Sequence, residues 1–134
     1  MQQTGLFTVT KTVDGDTVHV TQAGMEEVEK VRLLAINTPE RGRPWYAEAT
    51  AALASLVQDK SVQLEPEKPG KLQRDRYGRW LAYIIVDGKN ANVEMVRLGW
   101  TPYDSKYSSD RYEKEMRAAE EEARAAKRGM WSGK

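Results

Sequence analysis

The sequence contains no cysteine, one histidine (His19) and one phenylalanine (Phe7). Without thiols there are no disulfides, no thiol nucleophile and no cysteine-ligated zinc. A single histidine excludes catalysis by a histidine pair. Neither sign of charge dominates: 21 Lys and Arg stand against 20 Asp and Glu, a formal net charge of +1. The chain therefore lacks the overall basic surface that phosphate binding usually calls for. No apolar run approaches the ~20 residues of a membrane span. Met1 to Thr12 has no basic cluster followed by an apolar stretch, so the chain as given shows no signal peptide.

What is present fits one domain, residues 1–134, with 40% apolar and 31% charged residues around one core. Leu6 to Val13 is rich in β-branched residues and alternates, which predicts a strand. Asp14-Gly15 supplies a turn, for which glycine's free access to positive φ is the expected reason. Asp16 to Thr21 alternates again. Asp16 shares parity with Val18 and Val20, so its carboxylate ends an inward-facing row and needs a partner or a metal. His19 falls on the polar face. The third strand is expected from Val28 to Ile36, followed by a helix over Trp45 to Gln58, a strand over Ser61 to Glu65 and a loop over Pro66 to Arg76. A fifth strand spans Trp80 to Val86. A short helix, Val93 to Leu98, is expected to be capped by Asn92 and stopped by Gly99. Asp110 to Arg128 is the longest predicted helix; Tyr112, Met116, Ala119, Ala123 and Ala126 form its buried stripe, and Trp131 folds back beneath the body. Five short strands with three helices predict an α+β protein, mainly β, built on a five-stranded OB-fold barrel.

Val31 to Glu40, V-R-L-L-A-I-N-T-P-E, concentrates the chemistry. One cation, Arg32, is embedded in an apolar strand. The turn that follows carries the Asn37 amide, the Thr38 hydroxyl and carbonyl, and the Glu40 carboxylate. Pro39 stops the strand. A guanidinium, hard oxygen ligands and an ionisable base within ten residues are the parts for work on a phosphate. Taken singly, each has a structural reading: a turn, a buried ion pair, a helix start. Asp16 and Arg79 add to the set from two further segments. Basic residues gather in two loop regions, Arg41 and Arg43, then Lys68, Lys71, Arg74, Arg76 and Arg79. The last helix holds six acids and six bases and nets to zero.

Several spaced motifs occur together in order: Val13-Asp14-Gly15-Asp16-Thr17-Val18, Val31-Arg32-Leu33-Leu34 with Thr38-Pro39-Glu40, Asp75-Arg76-Tyr77-Gly78-Arg79 with Leu81-Ala82-Tyr83-Ile84, Val96-Arg97-Leu98-Gly99, and Met130-Trp131-Ser132. In these the sequence resembles the staphylococcal nuclease (thermonuclease) family from Val9 to Ser132. The resemblance implies an OB barrel with three helices. It further implies a calcium-dependent nuclease hydrolysing DNA and RNA to 5′-hydroxyl and 3′-phosphate ends with little regard for sequence; the sequence shows no oligomer interface, and a monomer is the default expectation. By position, Asp16, Asn37 and the Thr38 carbonyl would be calcium ligands. Glu40 would be the general base, and Arg32 and Arg79 would hold the phosphate. Arg76 and Tyr77 would bind a neighbouring phosphate, and Tyr107 would line the nucleotide pocket with Tyr103 near it. Members are often exported, which implies a secreted or cell-envelope protein after signal removal.

Three departures stand out. The family usually has aspartate where this chain has Asn37, which keeps an oxygen ligand and drops a charge. The loop from Arg41 to Tyr46 is short and carries few lysines. Tyr107 aligns with one of the family's paired pocket tyrosines, but Ser105 stands in the place of the other, with Tyr103 nearby and out of register. The alternative these departures imply is a catalytically weak or inactive module of the same fold that binds nucleic acid or protein.

Overall fold

Two patches of β-branched residues around Asp14-Gly15 pair as an antiparallel hairpin and begin the architecture. The computed structural model describes residues 6–22, 25–107 and 111–133. Strand β1 is Phe7–Asp14, β2 Thr17–Gln22 and β3 Val28–Leu33. Helix α1, Tyr46–Val57, separates them from β4, Ser61–Glu65. The two-residue β5, Gln73–Arg74, precedes β6, Trp80–Val86, and the two-residue β7, Lys89–Asn90, follows it. Helices α2, Ala91–Arg97, and α3, Glu113–Ala125, complete the chain with 3-10 turns at Ser105–Tyr107 and Gly129–Ser132.

The order β3-β2-β1-β4-β6 closes on itself, because β3 also pairs with β6 in parallel, Val31 opposite Trp80 and Leu33 opposite Ala82. Closure removes the exposed edges that an open sheet of this size would carry. This is the five-stranded OB-type barrel with three helices that the strand pattern predicts. The barrel is filled by Phe7, Val9, Val18, Val20, Val31, Leu33, Leu64 and Ile84, each at most 1% exposed. Each such side chain is worth about 1.5–3 kcal/mol of transfer free energy. β1 slips register between Val9 and Lys11 and again between Thr12 and Asp14. Gln58, just past α1, repairs this bulged stretch. Its Oε1 accepts from Thr12 N at 3.0 Å and Thr12 Oγ1 at 2.8 Å, and its Nε2 donates to Thr10 O at 3.1 Å. α3 lays Met116, Ala119 and Ala123 against α2; Ala126, expected in that stripe, is exposed because the helix has ended at Ala125. The expected start of α3 at Asp110 lies outside the described residues.

Two expectations need correction. β3 stops at Leu33 rather than running to Ile36. Ala35 takes φ 70°, which turns the chain, although residues 33–36 are all at most 2% exposed. An apolar run reads as strand, but here it is a buried turn whose four carbonyls each have a named donor. Arg32 Nη1 donates to Leu33 O at 2.6 Å and Ile36 O at 3.0 Å. Asn92 Nδ2 donates to Leu34 O at 2.9 Å, and Asp104 N to Ala35 O at 2.8 Å. The second correction follows. Asn92 does not cap α2; Asn90 does, accepting from Val93 N at 3.2 Å. Asn92 is fully buried, and its Oδ1 also accepts from Ile84 N at 3.1 Å. One amide thus ties α2 to β6 and to the turn that leads into Asn37.

Candidate active site

The turn delivers Asn37, Thr38 and Glu40 to one end of the barrel, beside the β1–β2 turn. Thr38 is buried at 4% exposure and Asp16 at 8%. Asp16 Oδ2 accepts from Thr38 N and Thr38 Oγ1, both at 3.0 Å, and lies 3.6 Å from Arg32 Nη2. Its Oδ1 accepts from Thr17 Oγ1 at 3.3 Å. The buried carboxylate at the end of the inward row therefore has its partners. Gly15 is not at positive φ, contrary to the reason expected for it. A Cβ there would sit 2.7 Å from Thr38 Oγ1 and 2.8 Å from its Cβ. Glycine is required for the close approach of the two turns.

Asp14 borders this cluster, accepting from Asp16 N at 3.0 Å. Burial, then the neighbouring Asp16 charge, raises its pKa above the ordinary value.

Arg79 comes from the turn before β6. Its Nε donates to Asp75 Oδ2 at 2.8 Å, and its Nη1 reaches Thr17 Oγ1 at 3.4 Å. Asp75 accepts also from Arg79 N and Tyr77 N, both at 2.9 Å. Burial alone would raise the Asp75 carboxyl; hydrogen bonds from the Arg79 and Tyr77 backbone and the Arg79 side chain outweigh it and hold the pKa below the usual range. Hence one carboxylate fixes both the turn and the guanidinium. Tyr77 is 69% exposed and lies between two cations, with Arg76 5.2 Å and Arg79 5.5 Å from its ring centre. Arg76 Nη2 donates to Tyr77 Oη at 3.2 Å.

These groups border an open cleft of about 730 Å³. Arg32, Asn37, Glu40, Arg76, Tyr77 and Arg79 line it, together with Glu67, Asp75 and Lys106. Asp16 and Thr38 lie next to it through Arg32 and Asn37. Among the described residues, the Asn37 amide and the Glu40 carboxylate have no hydrogen-bond or ion-pair partner, and both residues are exposed. The Asn37 backbone is fixed: its N–H donates to Thr101 Oγ1 at 2.8 Å.

Other sequence candidates are placed elsewhere. Tyr103 pairs with Ile36 and lies under Arg117 of α3, 5.2 Å from its ring centre, away from the cleft lining. The side chain of Tyr107 lies outside the described residues. Arg74 pairs with Glu29 at 3.1 Å and stacks on Trp80 at 4.9 Å, so it belongs to the barrel wall. His19 sits between Lys11 and Lys30 on the sheet, where burial and then those charges push its pKa below the ordinary value. Sequence reasoning missed Glu67 and Lys106, which come from irregular segments with no periodic signal.

The donor set can be tested against a metal. Among the described residues no group of three or more His, Cys, Asp or Glu side chains is placed to hold a metal ion. What the two turns offer is oxygen only: the Asp16 carboxylate, the Asn37 amide and the Thr38 backbone carbonyl. Those donors suit a hard cation that retains water, such as calcium, and do not suit zinc.

Comparison with known proteins gives a consistent result. The model of the staphylococcal nuclease homologue family matches residues 30–133. The SPbeta prophage-derived endonuclease YokF of Bacillus subtilis (strain 168) is 35% identical over 132 residues, covering 93% of this chain and 43% of the relative. Endonuclease YncB of the same organism is 33% identical over 132 residues, covering 93% and 61%. An uncharacterized endonuclease of Escherichia coli O157:H7 is 34% identical over 125 residues, covering 92% and 75%. The chain thus spans about half the length of the two Bacillus relatives.

Proposed function

This chain belongs to the staphylococcal nuclease homologue family, and from that premise we propose that it is a calcium-dependent nuclease that hydrolyses phosphodiester bonds of DNA and RNA. The observation that carries the reading is the cleft: two guanidiniums, an amide oxygen and a carboxylate with no partner among the described residues are brought there from three segments, β3, the turn after it and the turn before β6.

The substrate strand enters with its phosphate between Arg32 and Arg79. Guanidiniums bind phosphate oxygens bidentately, and their attraction grows as charge builds on the phosphorus centre. Asp75 holds the Arg79 fork in place. Glu40 accepts a proton from the attacking water, whose oxygen bonds to phosphorus as the bond to the 5′ oxygen breaks. The 5′ oxygen takes a proton from solvent and leaves as a hydroxyl, and the phosphate stays on the 3′ side. Arginine is no proton donor here, since its pKa exceeds ~12. Asp16, Asn37 and the Thr38 carbonyl would hold calcium. When bound, the ion would polarise a phosphoryl oxygen and orient the water.

A second reading is a binding module of the same fold with little or no activity, favoured by the amide at Asn37. Labelled single-stranded DNA, incubated with millimolar calcium or with chelator, separates the two. Cleavage in calcium alone, with 3′-phosphate ends, supports the nuclease. Binding without cleavage in either condition supports the module.

A further inference from the structure

We propose that Lys106 is a substrate contact that grips the phosphate backbone of a single nucleic-acid strand in the cleft. The inference rests on the nuclease reading and adds to it a residue that contacts substrate. Lys106 lines the cleft, yet it comes from the segment after α2, not from the turns that supply Arg32, Arg76 and Arg79. Each of those arginines already has a partner inside the protein: Asp16 and carbonyls for Arg32, Tyr77 for Arg76, Asp75 for Arg79. Lys106 is exposed and, among the described residues, forms no ion pair.

The backbone beneath it is held. Lys106 N donates to Asp104 Oδ1 at 3.0 Å, Asp104 N donates to Ala35 O at 2.8 Å, and Tyr103 pairs with Ile36. Thr101 accepts from Asn37 N at 2.8 Å. The segment is therefore fastened at three points to the very turn that carries Asn37 and Glu40. Its ammonium is a compact point charge on a flexible stem, able to follow a phosphate without demanding one geometry. On a protein of net charge +1, one cation placed in the cleft is a large share of the local attraction for a polyanion.

The test measures binding of a fluorescent single-stranded DNA in calcium, as a function of salt, in a Glu40→Gln background expected to cut too slowly to consume it during the measurement. Each phosphate contact on a single strand contributes about 0.7 to the slope of log affinity against log salt. Lys106→Ala is expected to lower that slope by about one such contact and to weaken binding of all sequences alike. Lys106→Arg should restore both. Lys114→Ala, an exposed lysine on α3, should change neither. An unchanged slope in Lys106→Ala while the Glu40→Gln protein still binds would overturn this inference alone. No binding by the Glu40→Gln protein itself, at any salt, would overturn it together with the reading it rests on.

Discussion

Asn37 and Asp75 show how single residues set this site. Asn37 presents an amide where a carboxylate would add a negative charge to the cation's surroundings. Calcium affinity is tuned by ligand charge count, so Asn37→Asp is expected to tighten binding on the order of tenfold or more. Calorimetric titration with calcium checks this; equal affinity in the two proteins would show that Asn37 is not a ligand. Asp75 has a different task. Its carboxyl is held below the ordinary range by the hydrogen bonds that fix Arg79. A depressed carboxyl stabilises the fold above its unfolded-state value, and that contribution disappears as the pH falls through the folded-state value. The stability gap between the parent and Asp75→Asn, from urea titrations, should thus be widest near neutral pH and narrow in acid. A gap independent of pH would mean the ion pair contributes nothing.

At the scale of elements, the site depends on turns that no ladder supports. The turn after β3 is held by Arg32, Asn92 and Asp104, so removing one donor leaves a buried carbonyl unpaired. Asn92→Ala orphans Leu34 O and Ile84 N together. At about 1–3 kcal/mol for each unsatisfied group, a loss of roughly 3 kcal/mol is expected. Chemical denaturation measures it; a change within ~0.5 kcal/mol, as for an ordinary surface site, would contradict the role given to Asn92. Gly15→Ala drives a methyl into Thr38 and must separate the two turns that carry Asp16 and Thr38. Calcium affinity and cleavage should both fall while the barrel stays folded by circular dichroism. Retained affinity would show that the approach is not needed.

These turns also mark where sequence reading succeeded and where it stopped. Long elements were legible because their periodicity reports one buried face: β4 and β6 have the expected limits. The motif residues Arg32, Asn37, Glu40 and Arg79 could be found by residue type and do share a cleft. The buried turn at residues 33–36 was illegible as a turn, since apolar burial looks the same in a strand. Asn92 was misread as a cap because capping and buried bridging use the same side chain, and only the fold says which backbone groups lie near it. Gly15 was placed correctly for the wrong reason: a steric approach across 23 residues leaves no local signal. Lys106 is one lysine in an irregular segment, and only the folded chain brings it to the cleft.

For the whole molecule, charge and closure divide the work. The barrel wall, α2, and α3 with the turn that follows it pair their charges internally, as in Arg74 with Glu29, Arg97 with Glu94, and Arg128 with Glu122. The near-neutral total coexists with a cleft in which Arg32, Arg76, Arg79 and Lys106 stand beside Glu40, Glu67 and Asp75. The closed barrel fixes that cleft from several sides: the β1–β2 turn presents Asp16, β3 presents Arg32, the turn before β6 presents Arg79, and the segment after α2 braces the turn after β3. The central claim is that this cleft hydrolyses phosphodiesters with Glu40 as its base. The direct measurement is kcat for a single-stranded DNA in saturating calcium, parent against Glu40→Gln, with oligonucleotide affinity measured alongside. Loss of a positioned base should lower kcat by on the order of 10²–10⁴ while affinity holds. A Glu40→Gln protein that cuts as fast as the parent would contradict the claim.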